Sequence, residues 1–376
     1  MKKILILTCS TGEGHNSAAK AIETALHKRH VQCVIRDPVS FQSEKAEKIV
    51  SGLYNETIRR TPHVFGAVYQ LGNLYSQARR PSPVYWANAR YAPALRRYIL
   101  TEGFDAVICT HLYGMEAMTA IRRQWGLSIP CYGVLTDYVC IPFTDETDLT
   151  GFFVPTKDTA EFMARRGIPR EKLHITGIPV DEKFRHLPGR ESARAVLNLP
   201  LQEHIYLIMT GGVGCENMET LCRRMLEKMD ENELLVVLTG RNDTLRARLD
   251  AMQDSRCRTV PFTHQVELYL AACDVLLSKP GGLSTTEAAV AGTPMVHIHA
   301  IPGCETYNAR YFAQHSMALH AENNAQAVAD ALKLCRNPQK AEAMRSLQHR
   351  FIRPDAADTI AEEVLRSCTA TVRFCG

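Results

Sequence analysis

Two stretches of the chain share one order: an apolar run, a glycine-rich loop and the start of a helix. The first, KILILTCSTGEGHNSAA, begins at Lys3, and the second, HIYLIMTGGVGCENMETL, spans residues 204–221. A glycine loop between a buried strand and a helix is typical of Rossmann-like domains, in which it lets a ligand approach the backbone. Two such openings about 200 residues apart therefore predict two Rossmann-like domains.

Short apolar runs alternate with helical patterns along the whole chain. Most of the runs are continuously apolar, as strands buried on both faces of a parallel sheet are. The alternation predicts an α/β fold with doubly wound parallel sheets. The predicted strands are Ile4–Thr8, Val31–Arg36, Ala106–Cys109, Cys131–Thr136, Gly151–Val154, His174–Thr176, Ile205–Met209, Leu234–Leu238, Arg258–Pro261, Val275–Leu277 and Met295–Ile298. The predicted helices are Asn16–Lys28, Thr156–Arg166, Met218–Met229, Thr244–Met252, Ser284–Ala291 and Ala325–Cys335.

Length and composition indicate the class of protein. A chain of 376 residues exceeds what one hydrophobic core usually serves, and we expect domains at 1–180 and 181–350, with a last helix in 351–376. The net charge of +4 is too small to indicate nucleic-acid binding. No apolar run reaches the length of a membrane-spanning helix, and the start of the chain does not resemble a signal peptide. The 13 cysteines are scattered without a C-x-x-C pair, which predicts reduced thiols in a cytoplasmic protein.

Residues 57–101 interrupt the alternation of strands and helices. This segment contains no Asp or Glu but is rich in arginine and aromatic residues. Two interpretations stand: helices with buried aromatic side chains and solvated arginines, or a surface that meets anionic lipid. The second would make the protein peripheral on the inner face of the cell membrane.

A second kind of glycine loop lies in LLSKPGGLSTTEAAVAGTP, residues 276–294. A strand ends at Ser278 and a helix follows Gly281 and Gly282, so the free N–H groups of the helix start would form an anion site, most naturally for a phosphate. Ser284 can donate a hydrogen bond to that anion. Glu287, one turn further, is suited to accept hydrogen bonds from the two hydroxyls of a ribose. The alternative is a capped helix in which Glu287 only favours the helix dipole.

Five segments in this order carry a family resemblance: TGEGHNSAAKAI, GGVGCENMETL, VVLTGRNDTLRARL, SKPGGLSTTEAAVAGTPMV and IPGCETYNARYF. Together they resemble the monogalactosyl- and glucosyl-diacylglycerol synthases, which belong to the same glycosyltransferase group as the bacterial enzyme that makes lipid II. The resemblance extends over about residues 1–350. It implies a GT-B fold of two Rossmann-like domains, with a UDP-sugar bound in an interdomain cleft, mainly by the C-terminal domain. In this fold the helix expected in 351–376 would cross back to the N-terminal domain.

The resemblance also implies roles for particular residues on the donor side. Backbone N–H groups at Gly281, Gly282 and Leu283 would hold the diphosphate, with Ser284 beside them and Glu287 on the ribose. Uracil would contact Phe262 and Thr263, with Arg241 close to the nucleotide. The sugar or diphosphate would contact Glu305 and Asn308, and the donor site would include Gly212 and Val213 of the loop that follows the strand at Ile205–Met209.

The resemblance assigns His15 as the catalytic base. Gly12 and Gly14 would open the acceptor side of the N-terminal domain, together with Asp137, and His15 would project from the helix start. A neutral imidazole can take a proton from an acceptor hydroxyl near neutral pH, and a helix N-terminus disfavours the imidazolium form. We therefore expect an inverting, one-step displacement that needs neither a metal nor another cofactor. From the residues alone, a histidine that only packs at the turn remains the alternative.

Two features leave the acceptor and the reaction class open. The family commonly places a histidine and a tryptophan soon after the Thr-Asp of TDY, where this chain has Ile141 and Thr144. Diacylglycerol is the expected acceptor, and an undecaprenyl-linked sugar or a soluble molecule is the alternative. A UDP-N-acetylglucosamine 2-epimerase and a non-catalytic nucleotide-sugar-binding protein are the alternatives from other classes.

Overall fold

The computed structural model describes residues 1–9, 13–42, 71–72, 75, 81–209 and 218–372, without the side chains of 369–372. The chain forms two compact units: Met1–Asp181 together with Pro354–Gly376, and Glu182–Arg353. Each unit contains a six-stranded sheet in which every described pairing is parallel. The predicted fold class, an α/β protein with two doubly wound parallel sheets, is confirmed.

The sheet of the first unit has the strand order β2-β1-β3-β4-β5-β6. Its strands are β1 Lys3–Leu7, β2 Gln32–Arg36, β3 Ala106–Cys109, β4 Cys131–Val134, β5 Gly151–Val154 and β6 Leu173–Ile175. Its helices are α1 Glu13–His27, α2 Pro83–Ala89, α3 Ala92–Glu102, α4 Leu112–Trp125, α5 Lys157–Arg165 and, from the end of the chain, α14 Ala356–Val372.

The two faces of this sheet are covered by different helices, because alternate residues of a strand point to opposite faces. Leu5 and Leu7 of β1 belong to the core formed with α2 to α5, whereas Ile4 and Ile6 belong to the core formed with α1 and α14. The C-terminal helix is fastened at Arg29, whose guanidinium lies 2.9 Å from Asp358 and 2.8 Å from Glu362. Residues far apart in sequence thus complete one hydrophobic core.

The sheet of the second unit has the order β12-β11-β10-β7-β8-β9. Its strands are β7 His204–Met209, β8 Glu233–Gly240, β9 Cys257–Pro261, β10 Val275–Ser278, β11 Met295–His297 and β12 Leu319–His320. Its helices are α6 Arg190–Val196, α7 Met218–Lys228, α8 Asp243–Asp250, α9 Val266–Ala272, α10 Gly282–Val290, α11 Cys304–Gln314, α12 Asn324–Cys335 and α13 Pro338–Phe351. Counted along this unit, the strand order is 3-2-1-4-5-6, the order of dinucleotide-binding Rossmann domains.

The segment 57–101 is described only in part. In residues 81–101, Tyr85 and Tyr91 are buried in the core, as the first interpretation of the segment requires. Trp86 and Leu100 are instead 59% and 51% exposed, and the exposed arginines are Arg90 and Arg97. Residues 57–70, 73–74 and 76–80, which include Arg79 and Arg80, lie outside the described part. Within that part, no helix combines the length and apolar character needed to cross a membrane.

Candidate active site

Each sheet has one place where the strand order changes direction, between β1 and β3 in the first unit and between β7 and β10 in the second. Successive connections there lead to opposite sides, so the loops after the two strands separate and leave a crevice at their carboxyl ends. The loop after β1 leads to His15, and the loop after β10 contains Gly281. His15 and Gly281 therefore both follow strands that flank a topological switch point.

His15 lies in the first turn of α1 and is held by residues that follow β3 and β4. Its Nδ1 atom is 2.8 Å from the carbonyl oxygen of Thr110 and 3.0 Å from Oγ1 of Thr136. Because a carbonyl oxygen only accepts hydrogen bonds, this contact assigns the proton of the neutral ring to Nδ1. The lone pair is then on Nε2, the nitrogen that can accept a proton from another molecule.

The surroundings of His15 keep its ring neutral. Burial lowers the pKa of His15 below its ordinary value of 6.5, while the nearby Asp137 carboxylate and the Thr110 carbonyl act in the opposite direction. The positive end of the α1 helix dipole also disfavours a positive charge there. Asp137, predicted on the acceptor side, is therefore brought to His15. Gly14 precedes His15 in the same turn, and Gly12 lies outside the described residues.

Thr110, His111 and Thr136 were not predicted from the sequence. Thr110 also donates from Oγ1 to the His15 carbonyl oxygen at 3.2 Å, and the His111 ring packs against the His15 ring. Their position in the sequence could have indicated them. CTH (109–111) and LTD (135–137) lie at the ends of two apolar runs, and the carboxyl ends of parallel strands meet at one edge of the sheet.

In the second unit, α10 begins directly after Gly281, which is its N-cap. The N–H groups of Gly282, Leu283 and Ser284 form the first turn and have no acceptor within the helix. Gly281, Ser284 and Glu287 are partly exposed, while the residues between them are buried, so these three share one face. For Gly281 the prediction needs correction: its N–H donates to the Lys279 carbonyl at 2.9 Å, because the backbone turns sharply there.

Gly281 is not required by the fold itself. Its φ of −68° suits any L-amino acid. A Cβ atom added to it would have its nearest neighbour among the described residues, Oε1 of Glu305, at 4.0 Å. Neither backbone strain nor packing therefore explains this glycine. A glycine at such a position leaves room for a ligand to approach the backbone.

Residues of α11 and the loop before it support the glycine turn. Asn308 is fully buried and donates from Nδ2 to the Pro280 carbonyl at 3.0 Å, so in this structure it fastens the loop. Glu305 accepts the Ile301 N–H through Oε2 at 2.8 Å, and its Oε1 is 3.8 Å from Nζ of Lys279. Lys279 was not predicted from the sequence. It is only 9% exposed and places a cation beside the turn.

Arg241, Phe262 and Thr263 follow β8 and β9 at the same edge of the sheet. The Arg241 guanidinium lies 5.0 Å from the centre of the Phe262 ring, and that ring is 51% exposed. Thr263 accepts the N–H of Gln265 through Oγ1 at 3.1 Å. Since β9 is three strands from β10, this exposed aromatic lies roughly 14 Å from the glycine turn. Gly212 and Val213 lie outside the described residues.

One cluster in the described part has metal-ligand composition: His204, Asp274 and Cys335 have ligand atoms within 4.8 Å of one another. The Asp274 carboxylate, however, accepts from Arg190 at 2.7 Å and from Arg194 at 2.8 Å. Two guanidinium groups on one carboxylate disfavour a further cation, so this cluster does not fit a metal. His297 is fully buried, which lowers its pKa to about 3, and it packs on Phe312 as a core residue.

Sequence comparison divides the chain in the same way as the structure. Residues 15–180 match the family model of monogalactosyldiacylglycerol (MGDG) synthase, and residues 206–360 match that of the glycosyltransferase family 28 C-terminal domain. The chain is a glycosyltransferase. The family matches confirm the resemblance found in its motifs. They set aside the two alternatives from other classes, a UDP-N-acetylglucosamine 2-epimerase and a non-catalytic nucleotide-sugar-binding protein.

Relatives and solved structures agree with this family and fold. The glycosyltransferase is 26% identical over 369 residues to a processive diacylglycerol beta-glucosyltransferase of Bacillus cytotoxicus, covering 96% of this chain and 93% of the relative. Its fold is similar to that of Acinetobacter baumannii MurG, with a TM-score of 0.65 and 15% identity over 97% of this chain and all of that one. It is also similar to the UDP-GlcNAc 2-epimerase of Neisseria meningitidis bound to UDP-GlcNAc, with a TM-score of 0.62 and 14% identity over 97% and 100% of the two chains. The fold is therefore GT-B.

Proposed function

We propose that this glycosyltransferase transfers a hexose from a UDP-sugar to the free hydroxyl of diacylglycerol, with His15 as general base. The relative of Bacillus cytotoxicus, a diacylglycerol glucosyltransferase that matches over nearly the whole chain, supports the acceptor. The observation that carries the proposal is the contact between Nδ1 of His15 and the Thr110 carbonyl. It leaves Nε2 as the proton acceptor on a ring whose pKa is lowered.

The donor in this proposal binds at the carboxyl edge of the second sheet. The diphosphate lies on the N–H groups of Gly282, Leu283 and Ser284, and the helix start stabilises its negative charge. Glu287, on the same face, accepts hydrogen bonds from the ribose. The uracil lies at Phe262 and Arg241, at a distance from the glycine turn that suits an extended nucleoside diphosphate. The complex of the similarly folded Neisseria meningitidis protein with UDP-GlcNAc supports a UDP-sugar as the ligand.

The chemical step is a single displacement at the anomeric carbon. The acceptor oxygen forms a bond to that carbon as the bond from the carbon to the UDP oxygen breaks, which inverts the configuration. The hydroxyl proton passes to Nε2 of His15, and the leaving UDP keeps the bonding electrons. The helix start at Gly282 and the Lys279 ammonium stabilise the charge on the leaving group, so the proposed step uses no metal.

A lipid acceptor requires the first unit to meet a membrane. Trp86 and Leu100 are large, exposed and apolar, and the exposed Arg90 and Arg97 lie on the same acid-free segment. Aromatic side chains at the headgroup level together with arginines facing anionic lipid form a typical peripheral membrane surface. We propose that this segment brings the enzyme to the inner face of the cell membrane.

The test is the rate of UDP release from UDP-glucose and from UDP-galactose, with and without vesicles that contain diacylglycerol. For one of the two donors, we expect lipid-dependent release that falls about 100-fold or more in His15→Ala, since general-base catalysis contributes about 10²–10⁴-fold. His27→Ala, at the exposed far end of the same helix, is the matched control and should keep wild-type activity. Lipid-dependent release at an unchanged rate in His15→Ala would refute the role of the base, whereas no release with any vesicle would refute the acceptor.

A further inference from the structure

His111 follows Thr110 directly and is the N-cap residue of α4. Its Nδ1 atom accepts the N–H of Tyr113 at 3.2 Å. A ring nitrogen that accepts carries no proton, so the neutral His111 ring has its proton on Nε2. This is the opposite tautomer to that of His15. The cap fixes the His111 ring to the backbone of α4, and the residue is almost fully buried.

The His111 ring lies between two other rings. Its centre is 4.5 Å from that of Tyr113, with the planes at 80°, and 4.7 Å from that of His15, with the planes at 88°. Both are edge-to-face arrangements, the favoured geometry for aromatic pairs. The His15 ring is thus contacted by His111 and is hydrogen-bonded to the Thr110 carbonyl. Asp137 is the charged group that acts on it.

We propose that His111 is a positioning residue for His15. Its ring, fixed by the helix cap and by Tyr113, holds the His15 imidazole with Nδ1 on the Thr110 carbonyl and Nε2 available to the acceptor hydroxyl. This inference rests on the proposed role of His15 as base.

The choice of histidine at position 111 follows from its two tasks. A cap needs a short side chain that accepts a hydrogen bond from the second residue of the helix, which Asn, Asp, Ser or Thr supplies. Support for the His15 ring needs a flat aromatic ring, which Phe supplies without a cap. Histidine does both, since Nδ1 serves the cap while the ring packs on His15.

Two substitutions separate these tasks. His111→Asn keeps the cap and removes the ring, so the His15 ring can rotate and water can replace its neighbour. We expect kcat to fall about 100-fold, the cost of displacing a catalytic group by roughly 1 Å, with the KM for the UDP-sugar within about twofold. His111→Phe keeps the ring contact and loses the cap. We expect its kcat to stay within about threefold and its Tm to fall by several degrees, since the loss of an N-cap destabilises the helix.

The pH profile gives a readout that a merely structural role would not change. Burial lowers the pKa of His15, and water admitted by His111→Asn removes part of that effect, while Asp137 still favours the charged form. The acid limb of kcat should therefore move to higher pH in His111→Asn. In His111→Phe the limb should stay in place.

A measurement without substrate completes the test. In ¹⁵N-histidine-labelled protein, with the His15 signals identified by their loss in His15→Ala, we expect one Nδ1–H tautomer in the wild type and in His111→Phe, and a mixture in His111→Asn. Wild-type kcat, pH profile and tautomer in His111→Asn would overturn the inference, as would equal losses of kcat in both variants. A wild-type rate in His15→Ala would refute the base itself, which is a separate failure.

Discussion

Glu116 lies on the face of α4 that packs into the core of the first unit, where it is fully buried. Its Oε2 accepts from Nδ2 of Asn88 at 2.6 Å. Burial and the nearby negative charge of Glu146 raise its pKa to about 9, against the opposing effect of the Asn88 hydrogen bond. The protonated form of Glu116 is therefore the native one at neutral pH. Glu116 was not predicted from the sequence, although its position in the apolar pattern LYGMEAMTAI is typical of a buried residue.

This raised pKa predicts how stability depends on pH. Below the unfolded-state pKa of about 4.5 both states hold the proton, and the stabilising effect is fully present. As the pH rises towards 9, only the unfolded state loses the proton, so Glu116 alone lowers the free energy of unfolding by about 1.4 kcal/mol per pH unit. Glu116→Gln, whose amide oxygen can still accept from Asn88, should remove that dependence.

Chemical denaturation at pH 5, 7 and 8.5 checks this expectation. The stability of Glu116→Gln relative to wild type should increase at each step, while Glu342→Gln on exposed α13 should follow the wild type throughout. A constant difference between Glu116→Gln and wild type across the three pH values would show that Glu116 is ionised in the native state.

Sequence reasoning at the residue scale succeeded where one local pattern carries the information. The i, i+3 spacing of Ser284 and Glu287 after a Gly-Gly turn was enough to place both on one face of α10. His111 was missed because it contacts His15 from a loop that lies far from His15 in the chain. The same holds for Thr110, which is hydrogen-bonded to His15 from 95 positions away. Such contacts follow from strand order, which no local pattern gives.

At the scale of the element, α10 has a glycine near each end for different reasons. Gly292, just past its C-terminal end, has a φ of +68°, and an added Cβ would lie 3.0 Å from Nε2 of His349. The fold therefore requires Gly292. Gly281, at the other end, has an ordinary φ and open space beside it, so the fold does not require a glycine there and the backbone is accessible to the proposed diphosphate.

This contrast gives a pair of matched substitutions. We expect Gly281→Ala to leave the Tm within about 2 °C and to weaken UDP binding about tenfold or more, because the methyl group occupies the place of the diphosphate. Gly292→Ala should lower the free energy of unfolding by more than about 1 kcal/mol. Calorimetric titration with UDP and thermal unfolding measure the two effects. Unchanged UDP affinity in Gly281→Ala would place the diphosphate elsewhere.

Strands were more predictable than helices. Each predicted strand is present within a residue or two, because continuous apolar runs identify strands buried on both faces. For α2 and α3, helices were one of the two interpretations of residues 57–101. Five further helices were not predicted, although two of them lie beside the candidate sites: α4, α6, α9, α11 and α13. Their polar faces are short or mixed, so tertiary packing rather than periodicity specifies them.

At the scale of the whole molecule, the alternation of strands and helices predicted two parallel sheets but not their strand orders. The orders matter for function, since they place the His15 loop and the Gly281 turn at the switch point of each sheet. The residues of α14 gave no local indication of their partner. They complete the core beside α1, where Arg29 binds Asp358 and Glu362, because that face of the sheet would otherwise stay exposed.

The most direct test of the proposed function is the identity of the product. Wild-type enzyme would be incubated with UDP-glucose or UDP-galactose and vesicles of diacylglycerol in anionic phospholipid, and the extracted lipids would be examined by mass spectrometry. We expect monohexosyl or more highly hexosylated diacylglycerol, formed together with UDP. Consumption of the UDP-sugar with no glycosylated diacylglycerol would contradict the proposed function.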